Sequence, residues 1–213
     1  TGADFYRMHG MDNQDFLQHV RGRSNYYATL APALPGHFRR MLDGDQIKIG
    51  EHNWQCISGY GHAPEHIALY CQQTNILISG DMVLPRISAN VSVHSTEPEA
   101  NPLKLFMSSL KRYFDLPSDA LVLPSHGKPF KGVYTRVQQL LDHHEERLEE
   151  ILLACQTQSL SAADAVPILF KRALDTHQMT FALGEALAHL HYLWFADQLQ
   201  RTQDKNGVFR FSH

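Results

Sequence analysis

Between residues 46 and 80 the chain sets four short β-type segments in quick order: QIKIG, NWQCISGYG, HIALYCQ and NILISG. Only EH, HAPE and QTN punctuate them, so this stretch reads as consecutive strands. Further on, Asn101 stands where a helix N-cap belongs and Pro102 at the first helical position, and LKLFMSSLKRYF carries amphipathic spacing. LVLPSHG then resumes as a buried strand over Leu121 to Leu123. Strand, helix and strand in that order imply an α/β layer.

On either side the signals change. Residues 4–8 read as a short strand, and DNQDFLQHVRGRSNYYATL mixes helical and loop signals up to Pro32 and Pro35. Tyr26 and Tyr27 are expected in a loop or short helix beside a surface cleft, and SANVSVHSTEPEANP reads as a long polar loop. From Val133 to Cys155, Val133, Val137, Leu140, Leu141, His144, Leu148, Ile151, Leu152 and Cys155 recur at three and four, which predicts one long helix. Beyond it come a helix opened by Ser161 with Asp164 at the capping-box position, a segment around Pro167, a helix from about His177 to Leu199, and a hairpin around Asn206-Gly207. Helices followed by a hairpin is winged-helix order. The expected division is 1–132, a connecting helix over 133–156, and a small α+β domain over 157–213.

Composition narrows the chemistry. Of 213 residues, 43% are hydrophobic, enough for a real core, and a formal charge of −3 points to neither a polyanion nor a membrane surface as partner. Cys56, Cys71 and Cys155 lie far apart without a CxxC, which argues against a disulfide framework and fits a reducing, cytoplasmic compartment. No apolar run approaches the roughly 18 residues that span a bilayer, and no leader pattern opens the chain. A small-molecule substrate is the expected partner. The 14 histidines raise the expectation of metal or proton chemistry without locating it.

Three motifs fall at predicted strand ends: GYGHAPEH with His62, ISGDMVLPR with Asp81, and LPSHGKPF with His126. An α/β layer places its site there because the sheet body is too tightly packed to admit substrate. Imidazole and carboxylate suit zinc, manganese or ferrous iron. On the residues alone, turn and cap duty is the better reading of each of the three taken singly. His94 reads as loop surface, while on the long helix His144 belongs to the buried stripe and His143 to the solvated face. His177, His189 and His191 cannot share one helix face, and Met179, Leu183, Leu187, Leu190 and Trp194 form the core there.

The ordered set GHAPEH, SGD and PSHG, with GEALAHLHYL and DKNGVFRF in the tail, resembles metallo-β-lactamase-fold hydrolases of the branch with a C-terminal winged helix. The resemblance implies an α/β fold, the C-terminal half of an αββα sandwich plus a small winged-helix-like domain. It makes His62 a ligand of the first metal, Asp81 the carboxylate bridging two metals, His126 a ligand of the second, and His66 their support. It implies hydrolysis of an ester, thioester, amide or phosphodiester by metal-activated water, zinc being the expected ion with manganese or iron as substitutes. Arg86 and Lys128 stand where they can meet an anionic group of the substrate.

One departure matters. The family's HxHxDH motif occurs nowhere in residues 1–213, and His9, His19, His37 and His52 have the wrong spacing. TGADFYRM looks like the strand just after that motif and its helix, so the chain resembles a member lacking its N-terminal part. In such paired centres the ions sit about 3.5–4 Å apart, so His62 and His126 address different ions and the chain alone is expected to bind metal weakly. Apolar faces without their partner layer then predict self-association into a homo-oligomer. The rival reading is a nucleic-acid-binding or RNA-cleaving protein that uses the winged tail. Residues 177–200 contain no Lys or Arg, a poor phosphate-facing surface, so no nucleic-acid partner is expected.

Overall fold

The computed structural model describes residues 1–22, 30–31, 33 and 35–213; Tyr26, Tyr27 and Pro32 lie outside the described residues. Helices α1 (Gly2–Met8) and α2 (Gln14–Gly22) come first, then strands β1 (Gln46–Ile49), β2 (His52–Gly59), β3 (His66–Cys71) and β4 (Ile76–Gly80). Helix α3 (Pro102–Lys111), strand β5 (Leu121–Pro124) and helix α4 (Val133–Thr157) follow. Helices α5 (Ala162–Leu169) and α6 (Thr176–Phe195) and strands β6 (Gln200–Gln203) and β7 (Phe209–Ser212) end the chain. It divides into two compact units, one of Arg40–Val91 with Asn101–Glu146, the other of Thr1–Arg39, Ser92–Ala100 and Arg147–His213.

The first unit holds a five-stranded sheet in the order β1-β2-β3-β4-β5, with antiparallel neighbours except for the parallel pair β4 and β5. Helix α3 makes the crossover that a parallel pair requires. It begins as the sequence predicts, Asn101 Oδ1 accepting the Lys104 N–H at 3.3 Å with Pro102 in the first turn.

Register decides which face is core. Ile57 pairs with Ala68, Tyr70 with Leu77, and Leu77 with Val122, so these residues share one face, and none is more than 7% exposed. Leu69, Ile78 and Leu123 pair along the opposite face and are only half-buried or, at Ile78, exposed. The second face is closed at Cys56 and Cys71 and open only around Leu69, Ile78 and Leu123, and covering that open part would yield on the order of 25 cal/mol per Å².

Three expectations need correction. Residues 4–8 are not a strand: Thr1 and Asp4 close a reciprocal capping box and wind Gly2–Met8 into α1. That cap outweighs the alternation of Asp4 to Met8. The loop SANVSVHSTEPEANP is not uniformly polar, because Ala89, Val91, Ser92 and Val93 are buried and only its second half from His94 is exposed. Helix α6 stops at Phe195 rather than Leu199, and instead of burying one stripe it buries most of its circumference from Ala182 to Leu193.

In the second unit α5 opens on the predicted capping box of Ser161 and Asp164, and β6 and β7 form an antiparallel hairpin across Asn206-Gly207. The N-terminal segment belongs to this unit: the Ala163 N–H donates to the His9 carbonyl at 3.1 Å, tying the end of α1 to the start of α5. Helix α4 buries Val133, Val137, Leu140, Leu141, His144, Leu148, Ile151 and Cys155, the stripe read from the sequence, with Leu152 half-buried beside it.

Candidate metal centre

Three loops at one edge of the first unit's sheet carry His62, Asp81 and His126. His62 follows β2 through Gly61, whose backbone has φ +96° and presses so closely on α3 that a Cβ there would lie 2.3 Å from the Pro102 carbonyl oxygen. Only glycine fits both demands. Asp81 follows Gly80, at φ +54°, where a Cβ would stand 2.2 Å from His66 Nε2. That space lets His66 reach under the strand end and accept the Asp81 N–H at 3.2 Å. His126 sits just beyond β5 with its side chain 71% exposed, whereas those of His62 and Asp81 are 27% and 28% exposed.

The Asp81 carboxylate is shared. Its Oδ2 lies 3.5 Å from His62 Nε2, and its Oδ1 lies 3.5 Å from His126 Nε2. His62 Nδ1 stands 2.8 Å from the Asn90 carbonyl oxygen, to which it donates its proton. In the neutral ring this leaves the Nε2 lone pair aimed at a carboxylate, two acceptors facing each other. Asp81 Oδ1 is itself buried and, among the described residues, has no hydrogen-bond partner. A proton or a cation satisfies such an arrangement. Two donors about 2.0–2.1 Å from a tetrahedral ion stand roughly 3.3–3.4 Å apart, so each imidazole and carboxylate pair has the spacing of ligands to one ion. Among the described residues no three His, Cys, Asp or Glu side chains converge on one point.

His66 is set apart from this pair. Burial, and then the neighbouring His62, hold its pKa below the ordinary histidine value against the opposing pull of Asp81. Its Nε2 is occupied by the Asp81 amide, so it supports the carboxylate's backbone. Arg86 and Lys128 are exposed and line, with His126, a cavity of about 520 Å³.

Some supports escaped the sequence reading. Asn90 acts through its main-chain carbonyl, which any residue possesses, so no residue-type signal could find it. Its loop is fastened from α4: Arg136 donates to the Leu84 carbonyl at 2.6 Å and to that of Ile87 at 3.1 Å, and Ser88 Oγ lies 3.0 Å from His144 Nε2.

Comparison with known proteins gives the family. Residues 4–126 match the metallo-beta-lactamase superfamily and residues 148–213 the metallo-beta-lactamase-like C-terminal domain; the chain belongs to the metallo-beta-lactamase superfamily. A solved beta-lactamase domain protein from Burkholderia ambifaria is 54% identical with a TM-score of 0.96, covering 100% of this chain and 61% of that one. A metallo-beta-lactamase family protein from Thermus thermophilus is 28% identical with a TM-score of 0.78, over 100% and 63% of the two chains. Among curated proteins, the probable metallo-hydrolase YqjP of Bacillus subtilis is 23% identical over 88% of this chain and 58% of its own. An atrochrysone carboxyl ACP thioesterase from Aspergillus fumigatus is 24% identical over 54% of this chain and 34% of its own. The chain thus spans about three fifths of the length of YqjP and of both structures.

Proposed function

We propose that the protein carrying this chain is a metal-dependent hydrolase in which His62 and Asp81 address one ion, and His126 and Asp81 a second. The observation that carries the reading is the Asp81 carboxylate, each oxygen 3.5 Å from a different imidazole Nε2. The donor set suits zinc, with manganese or iron as substitutes. When bound, such ions acidify a water and polarise a carbonyl or phosphoryl oxygen. The chain's own residues do the positioning: the Asn90 carbonyl fixes the His62 tautomer, and His66 fixes the backbone of Asp81. The substrate class is a small ester, thioester, amide or phosphodiester, and the thioesterase among the relatives favours an acyl compound. His62, Asp81 and His126 give each ion two protein ligands where a tetrahedral site takes four, so these residues alone bind metal weakly.

The tail's two helices and hairpin support the winged-helix reading, and the open sheet face supports a partner layer, either further polypeptide or a second copy. Among the described residues no disulfide joins Cys56, Cys71 or Cys155, in keeping with a reducing, cytoplasmic location, and no helix is long and apolar enough to cross a membrane. The nucleic-acid reading loses further ground, because Arg201 is held by Glu99 and Arg210 by Asp164 and Asp204. Metal analysis after dialysis tests the proposal. The longer protein should retain one or two equivalents of ion and residues 1–213 almost none, and a longer protein without metal or without an upstream HxHxDH would sink it.

A further inference from the structure

The cavity beside His126 combines apolar walls with two cations. Its walls are apolar, from Pro85, Ile87, Pro129 and Phe130, yet Arg86 and Lys128 also line it and no acidic residue does. Several arginines elsewhere are paired with carboxylates: Arg40 with Glu65, Arg112 with Asp43, Arg147 with Glu150, Arg201 with Glu99, and Arg210 with Asp164. Among the described residues Arg86 and Lys128 have no ion-pair partner within 4.0 Å. Two unmatched cations over an apolar wall attract an anion more strongly than the same charges would on open surface.

The walls are also fixed before anything binds. Phe130 exchanges backbone hydrogen bonds with Val122 at 2.8 and 3.1 Å. On the facing loop Arg136 clamps the carbonyls of Leu84 and Ile87. A volume of about 520 Å³ suits a small molecule or the end of an acyl chain and is in the range of ligand pockets.

We propose that this cavity binds an anionic amphiphile, a compound whose carboxylate or phosphate pairs with Arg86 and Lys128 while an apolar body of about six carbons lies along Phe130, Pro129 and Ile87. That such a compound is the substrate, reacting at the His126 end, rests on the hydrolase reading above; the binding itself does not.

The test is titration calorimetry of the full-length protein, as purified, with hexyl phosphate, hexanoate and neutral hexanol. The wild type should prefer both anions to hexanol, and the charge-conserving variant R86K/K128R should retain that preference. In R86A/K128A the anion-to-hexanol preference should fall by about 10- to 100-fold. Phe130→Ala should weaken all three compounds. Hexyl phosphate losing more than hexanoate identifies a phosphate site, and the reverse a carboxylate site. A wild type with no preference for the anions, or a double alanine variant that keeps it within twofold, overturns the proposal. Selective binding by a protein that hydrolyses no ester, thioester, amide or phosphodiester leaves this inference standing and removes the hydrolase reading instead.

Discussion

His62 in the first unit and His191 in the second begin alike and end differently. Each donates Nδ1–H to a main-chain carbonyl, of Asn90 at 2.8 Å and of Ala100 at 2.9 Å, so each neutral ring keeps its lone pair on Nε2. For His62 that lone pair meets the Asp81 carboxylate at a part-exposed edge. For His191 the ring sits against Trp194, Phe195 and Phe211, fully buried, and among the described residues its Nε2 has no hydrogen-bond partner. The tautomer is set the same way in both; what faces the second nitrogen separates a candidate ligand from a packed core residue.

The largest effect is expected where the two histidines differ most. Asp81→Ala removes the carboxylate from both pairs at once and should cost the full-length protein its metal and about 10²–10⁴-fold in kcat/KM. His191→Phe should leave metal content as it was. Loss of metal from the His191 variant, or full retention in Asp81→Ala, would break the comparison.

Acid should expose the second unit's histidines next. Burial pushes the His9 pKa down to about 3, with His191 and Arg201 nearby adding to the effect, and burial likewise lowers His191 against the opposing pull of the Ala100 carbonyl and Glu99. Folded protein therefore binds fewer protons than unfolded chain between about pH 6.5 and 3. The stability of this unit is fully present above pH 6.5 and falls as acid is added, by at most about 1.4 kcal/mol per pH unit for each histidine. Urea melts at pH 7.5, 6 and 5 measure the slope, and His9→Phe with His191→Phe should flatten it. An unchanged slope in that double variant would show that these two histidines do not carry the acid sensitivity.

Why the sequence revealed one unit's site better than the other's follows from the kinds of contact involved. Strands β1 to β5, the cap at Asn101 and the stripe of α4 are local patterns, and they sit where periodicity and punctuation put them. The strand-end positions of His62, Asp81 and His126 were legible because turn motifs displace them there. The burial of His9 was not legible, since it depends on α1 reaching α5 and β7: the Ala163 amide and the Phe209 ring, 5.3 Å away, are remote in sequence. Helix α1 itself was misread because a short alternation competes with a capping box. Asn90 shows the other limit, a functional contact made by a carbonyl that carries no residue identity.

A smaller effect should come from the clamp behind His62. Arg136→Met keeps much of the side chain's bulk but releases the Leu84 and Ile87 carbonyls, loosening the loop that carries Asn90. Supporting contacts of this kind are worth about 10- to 100-fold in metal affinity. The expected loss lies near the lower end, because Ser88 and His144 still hold the loop. A competition titration with a chelator measures it, and an affinity within twofold of wild type would show that Asn90 needs no such support.

The smallest effect belongs to His143, and it sharpens the comparison because its neighbour His144 shares its helix and residue type. One hundred degrees of helix rotation put His144 fully inside, edge-on to Phe106 and 3.0 Å from Ser88 Oγ, and leave His143 exposed. His144→Ala should cost about 2–4 kcal/mol by opening a cavity and removing the Ser88 contact. His143→Ala should stay within about 0.5 kcal/mol, as exposed substitutions do. Urea denaturation of both variants reads the difference directly. If His143→Ala proved as costly as His144→Ala, exposure would not be what distinguishes the histidines of this chain, and the contrast between His62 and His191 would need another basis.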